Sequence, residues 1–311
     1  MKIFVKTSNE SMLKKLIRMP YHFTHDVLYE TASWNPIFKK IYGRKTVQKG
    51  FIGDEHLTNS TLDDHLFHQL KAAGIACNEH YINQKNFENY LATATYPKEY
   101  YGAKPGHDNF TEKALEHYVT LEFIDFSQVQ CFVDVAACTS PFADIISQKF
   151  KVAEVYKQDL VYPPGINGNK IGGYAHEMNL PTNSVDALTL HCSLEHFEDN
   201  TDILLFRKMN RLLRKGGKAL ILPFYLAHSY TIHVDPAYNL LRRHFPAIDE
   251  EAELRYCNWY QFHSRHYDII QLQKRIIAQL PDCHVVVYRI MNFRQIWQHS
   301  YLRWVLEITH R

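Results

Sequence analysis

From residue 131 onward the apolar residues come in short unbroken runs, separated by helical stretches and punctuated by Gly, Pro and Asn. That rhythm belongs to an α/β sheet whose strands are covered on both faces. The first run, Cys131–Val135, predicts a buried strand. The small residues Ala136–Ser140 predict a tight turn, and Pro141 opens a helix where its missing N–H costs nothing. Residues 151–159 predict a second strand ending in Asp159, and the link YPPGINGNK is too short and too rich in Pro and Gly for a crossover helix. Further strands are expected near Lys170–Tyr174, at 184–194 and at 218–224, with a helix over NTDILLFRKMNRLLRKGG closed by Gly216–Gly217. A long loop (225–265) and a helix (266–280) lead to two closing strands, CHVVVYRI and YLRWVLEITHR. The pattern predicts a seven-stranded, mostly parallel sheet whose last strand is inserted antiparallel.

The first third of the chain is harder to read. KIFVK suggests a short strand, SMLKKLIRM a short amphipathic helix, and Leu62–Ala73 a helix stopped at Gly74. Residues 99–110, EYYGAKPGHDNF, form a loop punctuated by Gly and Pro, a boundary or a lid. Thr111–Phe126 has helical spacing, with Leu115, Val119 and Leu121 as apolar anchors, and delivers the chain onto the strand at 131. The expected division is an N-terminal helical extension and lid over residues 1–110 and a sheet domain over 111–311.

Composition changes this picture little. At 311 residues, 46 % hydrophobic and 22 % charged, the chain has the profile of a globular enzyme with room for a full core. A net charge of +2 gives no electrostatic footprint for nucleic acid. The six cysteines contain no CxxC pair, and no apolar stretch reaches the length of a signal peptide or a membrane span. These features lead to an expectation of a cytoplasmic protein with no membrane or nucleic-acid partner, compatible with a homo-oligomer.

The chemistry concentrates at strand ends. Asp134 at the end of a strand, a turn of small residues, and a helix beyond it make the layout by which α/β proteins hold a nucleotide-like ligand. Taken alone, the same residues also suit a plain strand and turn, and Asp159 also suits a cap. His191, Glu195 and His196 invite a metal, but the inverted zinc pattern is His-x-x-Glu-His and HCSLEH has one residue too many, so no metal is expected. The loop after the fifth strand carries Tyr225, His228, Tyr230, His233 and Asp235, either a substrate wall with a histidine base or a solvated loop. Arg265 is either an anion contact or a cap for the next helix.

In their order and spacing, VDVAACTSP (133–141), Asp159, HEMNLPTNSVDAL (176–188), HCSLEHFED (191–199) and FRKMNRLLRKGGKALILP (206–223) resemble the core of the class I S-adenosylmethionine-dependent methyltransferases, in the broad type 11 small-molecule group. The resemblance covers about two thirds of the chain and implies a Rossmann-like fold with S-adenosyl-L-methionine as cofactor. It implies that the main chain of Ala136, Ala137, Cys138 and Ser140 passes the methionine part, and that Asp134 orders the turn or receives the ammonium group. Asp159 would accept from the ribose hydroxyls; His176, Glu177 and Met178 would lie beside the adenine. His191, Cys192 and Ser193 would form the floor beneath the sulfonium, with Tyr101, Tyr100 or Phe110 as an aromatic lid. His191, His196 and His228 are the candidate catalytic bases. The chain departs from the family in its first turn, which carries no glycine: Ala136, Cys138 and Ser140 stand at those positions. Because none of these takes positive φ cheaply, the turn is expected to be wider or differently bent.

The implied function is methyl transfer to an oxygen or nitrogen atom of a small molecule. A protein of the same fold that binds without catalysing is the alternative, supported by the glycine-free turn. A nucleotide-sugar or NAD enzyme fits less well, because the Leu-Pro turn and the closing strand pair suit methyltransferases. A protein acceptor stays open.

Overall fold

Cys131–Val135 is buried at all five positions, which only a strand flanked on both edges and covered on both faces requires. It is the third of twelve strands in a computed structural model that describes residues 12–32, 36–44 and 46–311. The strands are β1 (Gln48–Lys49), β2 (Ala76–His80), β3 (Cys131–Val135), β4 (Glu154–Asn167), β5 (Lys170–Gly172), β6 (Val185–His191), β7 (Leu213–Leu222), β8 (Thr231–Val234), β9 (Glu253–Tyr256), β10 (Ser264–His266), β11 (Cys283–Ile290) and β12 (Trp304–His310). The α-helices of six residues or more are α1 (Met12–Ala32), α2 (Pro36–Ile41), α3 (Ile52–Thr58), α4 (Ser60–Ala72), α5 (Gln84–Thr93), α6 (Asp108–Phe123), α7 (Phe142–Phe150), α8 (Thr201–Leu212) and α9 (Pro236–Arg242). The strand suggested by KIFVK lies outside the described residues.

The chain divides into two compact units. One comprises residues 67–194, 201–224 and 272–311; the other comprises residues 1–66, 195–200 and 225–271. The expected division at residue 110 follows neither set of bounds.

The larger unit holds an eight-stranded sheet in the order β2-β11-β12-β7-β6-β3-β4-β5. β3 runs parallel to β4 and β6, β6 parallel to β7, and β12 antiparallel to both β7 and β11. The expected seven strands and the antiparallel last strand are therefore present. The eighth, β2, pairs parallel with β11 at the sheet edge. Its sequence, ACNEH, lacks an apolar run because an edge strand has only one neighbour to satisfy. As the Pro- and Gly-rich link suggested, no helix joins β4 to β5. Lys170 and Ile171 pair with Lys157 and Gln158 and again with Asn167 and Ile166 across a short return of the chain.

Two side chains of this unit clamp elements together from inside. Asp186, near the start of β6, accepts the backbone N–H groups of Gln130 and Cys131 at 2.9 Å each and pairs with Arg214. Arg275 donates to both oxygens of Asp202 on α8, at 2.8 and 2.7 Å, and both side chains are buried. Two expected helix bounds shift. The helix expected to reach Gly217 stops at Leu212, and the chain enters β7 directly. A Cβ at Gly217 would meet the carbonyls of Arg214 and Val185 at 2.8 Å, so that glycine makes room for a close strand contact instead of ending a helix. Of residues 266–280, only Ile269–Gln271 are α-helical; a π-helical turn over Leu272–Ile276 and a 3₁₀ turn over Ile277–Gln279 follow.

The segment expected as a long loop, 225–265, carries β8, α9, β9 and most of β10. With β1 these strands make the four-stranded sheet of the smaller unit, β1-β9-β8-β10. Its apolar core contains Tyr29, Phe38 and Tyr42 from the N-terminal helices with Ile232, Leu254 and Tyr256 from the strands. Polar residues are buried here with partners. His25 of α1 bonds Asp235 at 2.7 Å, and Arg255 reaches both Glu55 and Glu253. Among the described residues, no helix is long and apolar enough to cross a membrane.

Candidate functional site

The carboxyl ends of β3, β4, β5 and β6 fall on one edge of the larger sheet, and the strand order reverses between β3 and β6. In open α/β sheets, ligands lie at such a switch point. The turn leaving β3 does not avoid the left-handed region. Ala136 stands at φ +54° and Cys138 at φ +44°, two of the positions where the glycines were missed. An L-residue pays about 1–2 kcal/mol for each such conformation, and the turn's surroundings hold it there. Gln158 accepts the N–H of Ala136 through its side chain (3.2 Å) and that of Ala137 through its carbonyl (2.9 Å). Asp159 Oδ2 accepts the Cys138 N–H at 2.8 Å, and the Tyr162 hydroxyl donates to the Cys138 carbonyl at 2.5 Å. Ser140 Oγ accepts from Phe142 N at 3.2 Å and so caps the start of α7.

Asp134 is buried at the end of β3, with Oδ1 accepting from Thr189 at 2.9 Å and Oδ2 left without a partner. Asp159 stands across the turn with each oxygen accepting one backbone N–H, from Cys138 and from Val161. Beyond β5, His176 is half-buried, Glu177 exposed and Met178 buried. Cys192 closes β6 at φ +48°, the third non-glycine residue of the crevice in the left-handed region. The Tyr301 hydroxyl lies 3.8 Å from its sulfur. Tyr101, also at positive φ, is half-buried; burial raises its hydroxyl pKa, and Cys192 and Cys138 are close enough to add to the rise.

His191 is held between helix and strand. Thr120 gives its own proton to the Glu116 carbonyl (3.0 Å), so its oxygen accepts from His191 Nε2 at 2.9 Å. That fixes the proton on Nε2 and leaves Nδ1 facing Asp134 Oδ1 at 3.4 Å. His117 packs edge-on against the His191 ring at 5.0 Å and stacks on Phe142 at 4.7 Å. Burial, with His191 and Lys113 nearby, lowers its pKa well below the ordinary imidazole range and keeps it neutral.

The sequence reading took only Leu115, Val119 and Leu121 as inward anchors of α6. In the structure every residue from Thr111 to Thr120 except Lys113 is buried, Glu112, Glu116, His117 and Thr120 included. Lys113 Nζ donates to both oxygens of Glu116 at 2.8 and 3.1 Å. Burial works against its charge, but Cys192 and Glu116 beside it outweigh burial and keep the ammonium protonated. Glu112 Oε1 accepts from Ser300 Oγ (3.3 Å) and Tyr301 N (3.2 Å). The signal was present as acidic and basic residues spaced on one helix, but a polar stripe reads first as solvent-facing.

The other two candidate bases belong to the smaller unit. His196 Nδ1 donates to the His263 carbonyl at 2.7 Å. His228 is half-exposed and ends a relay in which Asp63 bonds His56 Nδ1 at 2.8 Å and His56 Nε2 faces His228 Nδ1 at 3.1 Å. Arg265, considered as an anion contact, is fully buried and donates to the carbonyls of Phe197 and Asp199 at 2.6 and 2.7 Å. Among the described residues, no group of three His, Cys, Asp or Glu side chains is placed to hold a metal.

The family model for the type 11 methyltransferase domain matches residues 133–221. No curated protein matches the chain by sequence. Among solved structures, a methyltransferase from Mesorhizobium loti is 14 % identical, with 63 % of this chain and 97 % of that one aligned at a TM-score of 0.40. One from Listeria monocytogenes is 10 % identical over 64 % and 100 % of the two chains at 0.41. The 1,6-didemethyltoxoflavin-N1-methyltransferase of Burkholderia thailandensis, solved with that compound and S-adenosylhomocysteine, is 13 % identical over 75 % and 92 % at 0.42. The match to the methyltransferase domain model runs from β3 to β7, the stretch that holds the switch point of the sheet.

Proposed function

We propose that the protein transfers the methyl group of S-adenosyl-L-methionine to an oxygen or nitrogen atom of a small-molecule acceptor. The observation that carries the reading is the turn Ala136–Ser140. It keeps a left-handed conformation at two non-glycine positions at the sheet's switch point, and strain of this kind persists where the surroundings enforce it. The residues present fit the cofactor. Asp134 has a buried oxygen without a donor, which the ammonium group would supply. Asp159 keeps lone pairs beyond the two backbone N–H groups it accepts, enough for two ribose hydroxyls. His176, Glu177 and the main chain at Met178 stand at the end of β5, where the adenine would lie, and Cys192 stands at the floor.

Bound there, the cofactor supplies an electrophilic methyl group. The chain's own contribution is positioning and proton handling. With its Nε2 proton committed to Thr120, His191 takes up the acceptor's proton at Nδ1, beside Asp134. Tyr100 and Tyr101 serve as the aromatic lid.

One observation favours the binding-only alternative: Tyr162 and Asp159 both spend groups on Cys138, closing the turn on itself. Calorimetry with S-adenosylmethionine, S-adenosylhomocysteine and NAD separates the readings. Micromolar binding of the first two and none of NAD supports the methyltransferase. Absence of binding by all three leaves the fold and removes the enzyme.

A further inference from the structure

The buried face of α6 carries Glu112, Glu116, His117 and Thr120, spaced so that they share one side of the helix. Most of their polar atoms are accounted for. Thr120 serves His191, His117 Nδ1 meets the Tyr96 hydroxyl at 2.8 Å, and Lys113 is committed to Glu116. Two atoms are exceptions, His117 Nε2 and an oxygen of Glu112. Glu112 is 2 % exposed, and its Oε2 has no partner. The residue that bonds its other oxygen, Tyr301, places its hydroxyl against Cys192 at the crevice floor and its ring 6.0 Å from Lys113 Nζ.

The charges around this face are unequal. Three carboxyl groups (Glu112, Glu116 and Asp134) stand against one ammonium, and the Tyr100 hydroxyl feels Lys113, Glu116 and Asp134 together. The carboxyl oxygens left over, Glu112 Oε2 and Asp134 Oδ2, are acceptors. A buried acceptor without a donor costs about 1–3 kcal/mol. A carboxylate or phosphate brought here would add a like charge beside Glu116 and Asp134. An amine brings donors and, when protonated, the missing positive charge.

We propose that the buried face of α6 is the acceptor wall and that the acceptor is an amine anchored by Glu112 Oε2. This rests on the methyltransferase reading and narrows it from oxygen or nitrogen to nitrogen. In the step, the ammonium first gives one proton to His191 Nδ1, which frees the nitrogen lone pair; that lone pair forms the new N–C bond as the methyl–sulfur bond breaks, the electron pair of the broken bond staying on sulfur. Burial, then Glu116, pushes Glu112 up to about 8, against the opposing pull of Ser300, Tyr301 N–H and Lys113. A cation seated on its free oxygen therefore expels its proton.

The test uses the full-length protein saturated with S-adenosylhomocysteine and three probes that share a phenyl ring: 2-phenylethylamine, 3-phenylpropionate and phenyl phosphate. Calorimetry is expected to show binding of the amine alone, tightening roughly tenfold or more between about pH 6.5 and pH 8 as Glu112 gives up its proton. Glu112→Gln should weaken the amine at least about tenfold and flatten its pH profile, with S-adenosylhomocysteine affinity unchanged as the sign of an intact fold. Should that variant fail to fold, Glu112→Asp keeps the charge and retracts the oxygen, and is expected to weaken the amine with its pH profile retained. Binding of the carboxylate or phosphate as tightly as the amine, no amine binding, or an amine affinity indifferent to Glu112 overturns the proposal. A wild type that fails to bind S-adenosylhomocysteine overturns the methyltransferase reading beneath it.

Discussion

Replacing Cys138 by glycine should stabilise this protein, although glycine substitutions ordinarily do the reverse. Cys138 sits at φ +44° with its side chain exposed, so removing that side chain forfeits almost no packing. The left-handed conformation costs an L-residue about 1–2 kcal/mol. Glycine escapes that cost but brings a more flexible unfolded chain, worth about 0.5–1 kcal/mol against it. The balance is a gain of about 0.5–1 kcal/mol. Ala136→Gly, at φ +54°, should give a similar gain, slightly reduced because its methyl group is half-buried. For a chain of this size each should raise the melting temperature by roughly 1–3 °C. The assay is denaturant and thermal unfolding of each single variant beside Ser147→Gly, an exposed position inside α7, where glycine should cost about 1 kcal/mol. The signs should be opposite. If Cys138→Gly and Ser147→Gly destabilise alike, the turn is not strained and the account of the glycine-free loop fails.

Asp159→Ala should weaken S-adenosylmethionine binding at least about tenfold, since it removes the ribose acceptor and the anchor of the Cys138 N–H, while circular dichroism stays unchanged; an unaltered affinity by calorimetry refutes the assignment. Glu112 gives a pH signature. Its carboxyl is held up to about 8 in the fold and returns to about 4.5 when unfolded, so the folded protein binds the extra proton between those values. Its burial costs nothing below about pH 4.5, and stability then falls as pH rises toward about 8, by as much as roughly 4–5 kcal/mol. Glu112→Gln should flatten that decline in melting temperature measured against pH. Asp202→Ala removes both charge-assisted bonds from Arg275 inside the fold and should cost about 3–5 kcal/mol in chemical unfolding, whereas Asp202→Asn should cost less. His191→Gln should lower methyl transfer without changing S-adenosylhomocysteine affinity, and equal losses in both would make it a binding residue.

The sheet's centre was legible because strands buried on both faces are mainly apolar, as Cys131–Val135 and Val185–Leu190 are apart from Asp134, Asp186 and Thr189, which are hydrogen-bonded. β2 was missed for the complementary reason: an edge strand answers to one neighbour, and ACNEH has no pattern to detect. The second sheet was hidden by chemistry. Its inward positions include Thr231, His233, Arg255, Ser264 and His266, which sequence patterning counts as surface, and specific partners such as Glu55 and Glu253 make the burial of Arg255 tolerable. The crevice was half legible. Asp134 and Asp159 could be placed by strand ends and Cys192 only through the family resemblance, but the polar face of α6 could not be placed, because hydrophobic periodicity reports only the apolar side of a helix. The turn after β3 teaches a different limit: glycine's absence states what a conformation costs, and the surroundings decide whether the chain adopts it anyway.

The smaller unit is drawn from three separated stretches of chain, and this sets a timetable for synthesis. Its first 66 residues leave the ribosome about 160 residues before the segment that begins at Tyr225 and carries β8 and β9. At translation speeds of roughly 5–20 residues per second, that interval lasts about 8–30 s. Throughout it, Tyr29, Phe38 and Tyr42 have no strands to pack against and His25 has no Asp235. The larger unit can form the five strands from β7 to β5 in the same period, while β2 waits for β11 and β12. The nascent N-terminal helices are thus a natural client for a holding chaperone, and the moment of release is the emergence of Gln271.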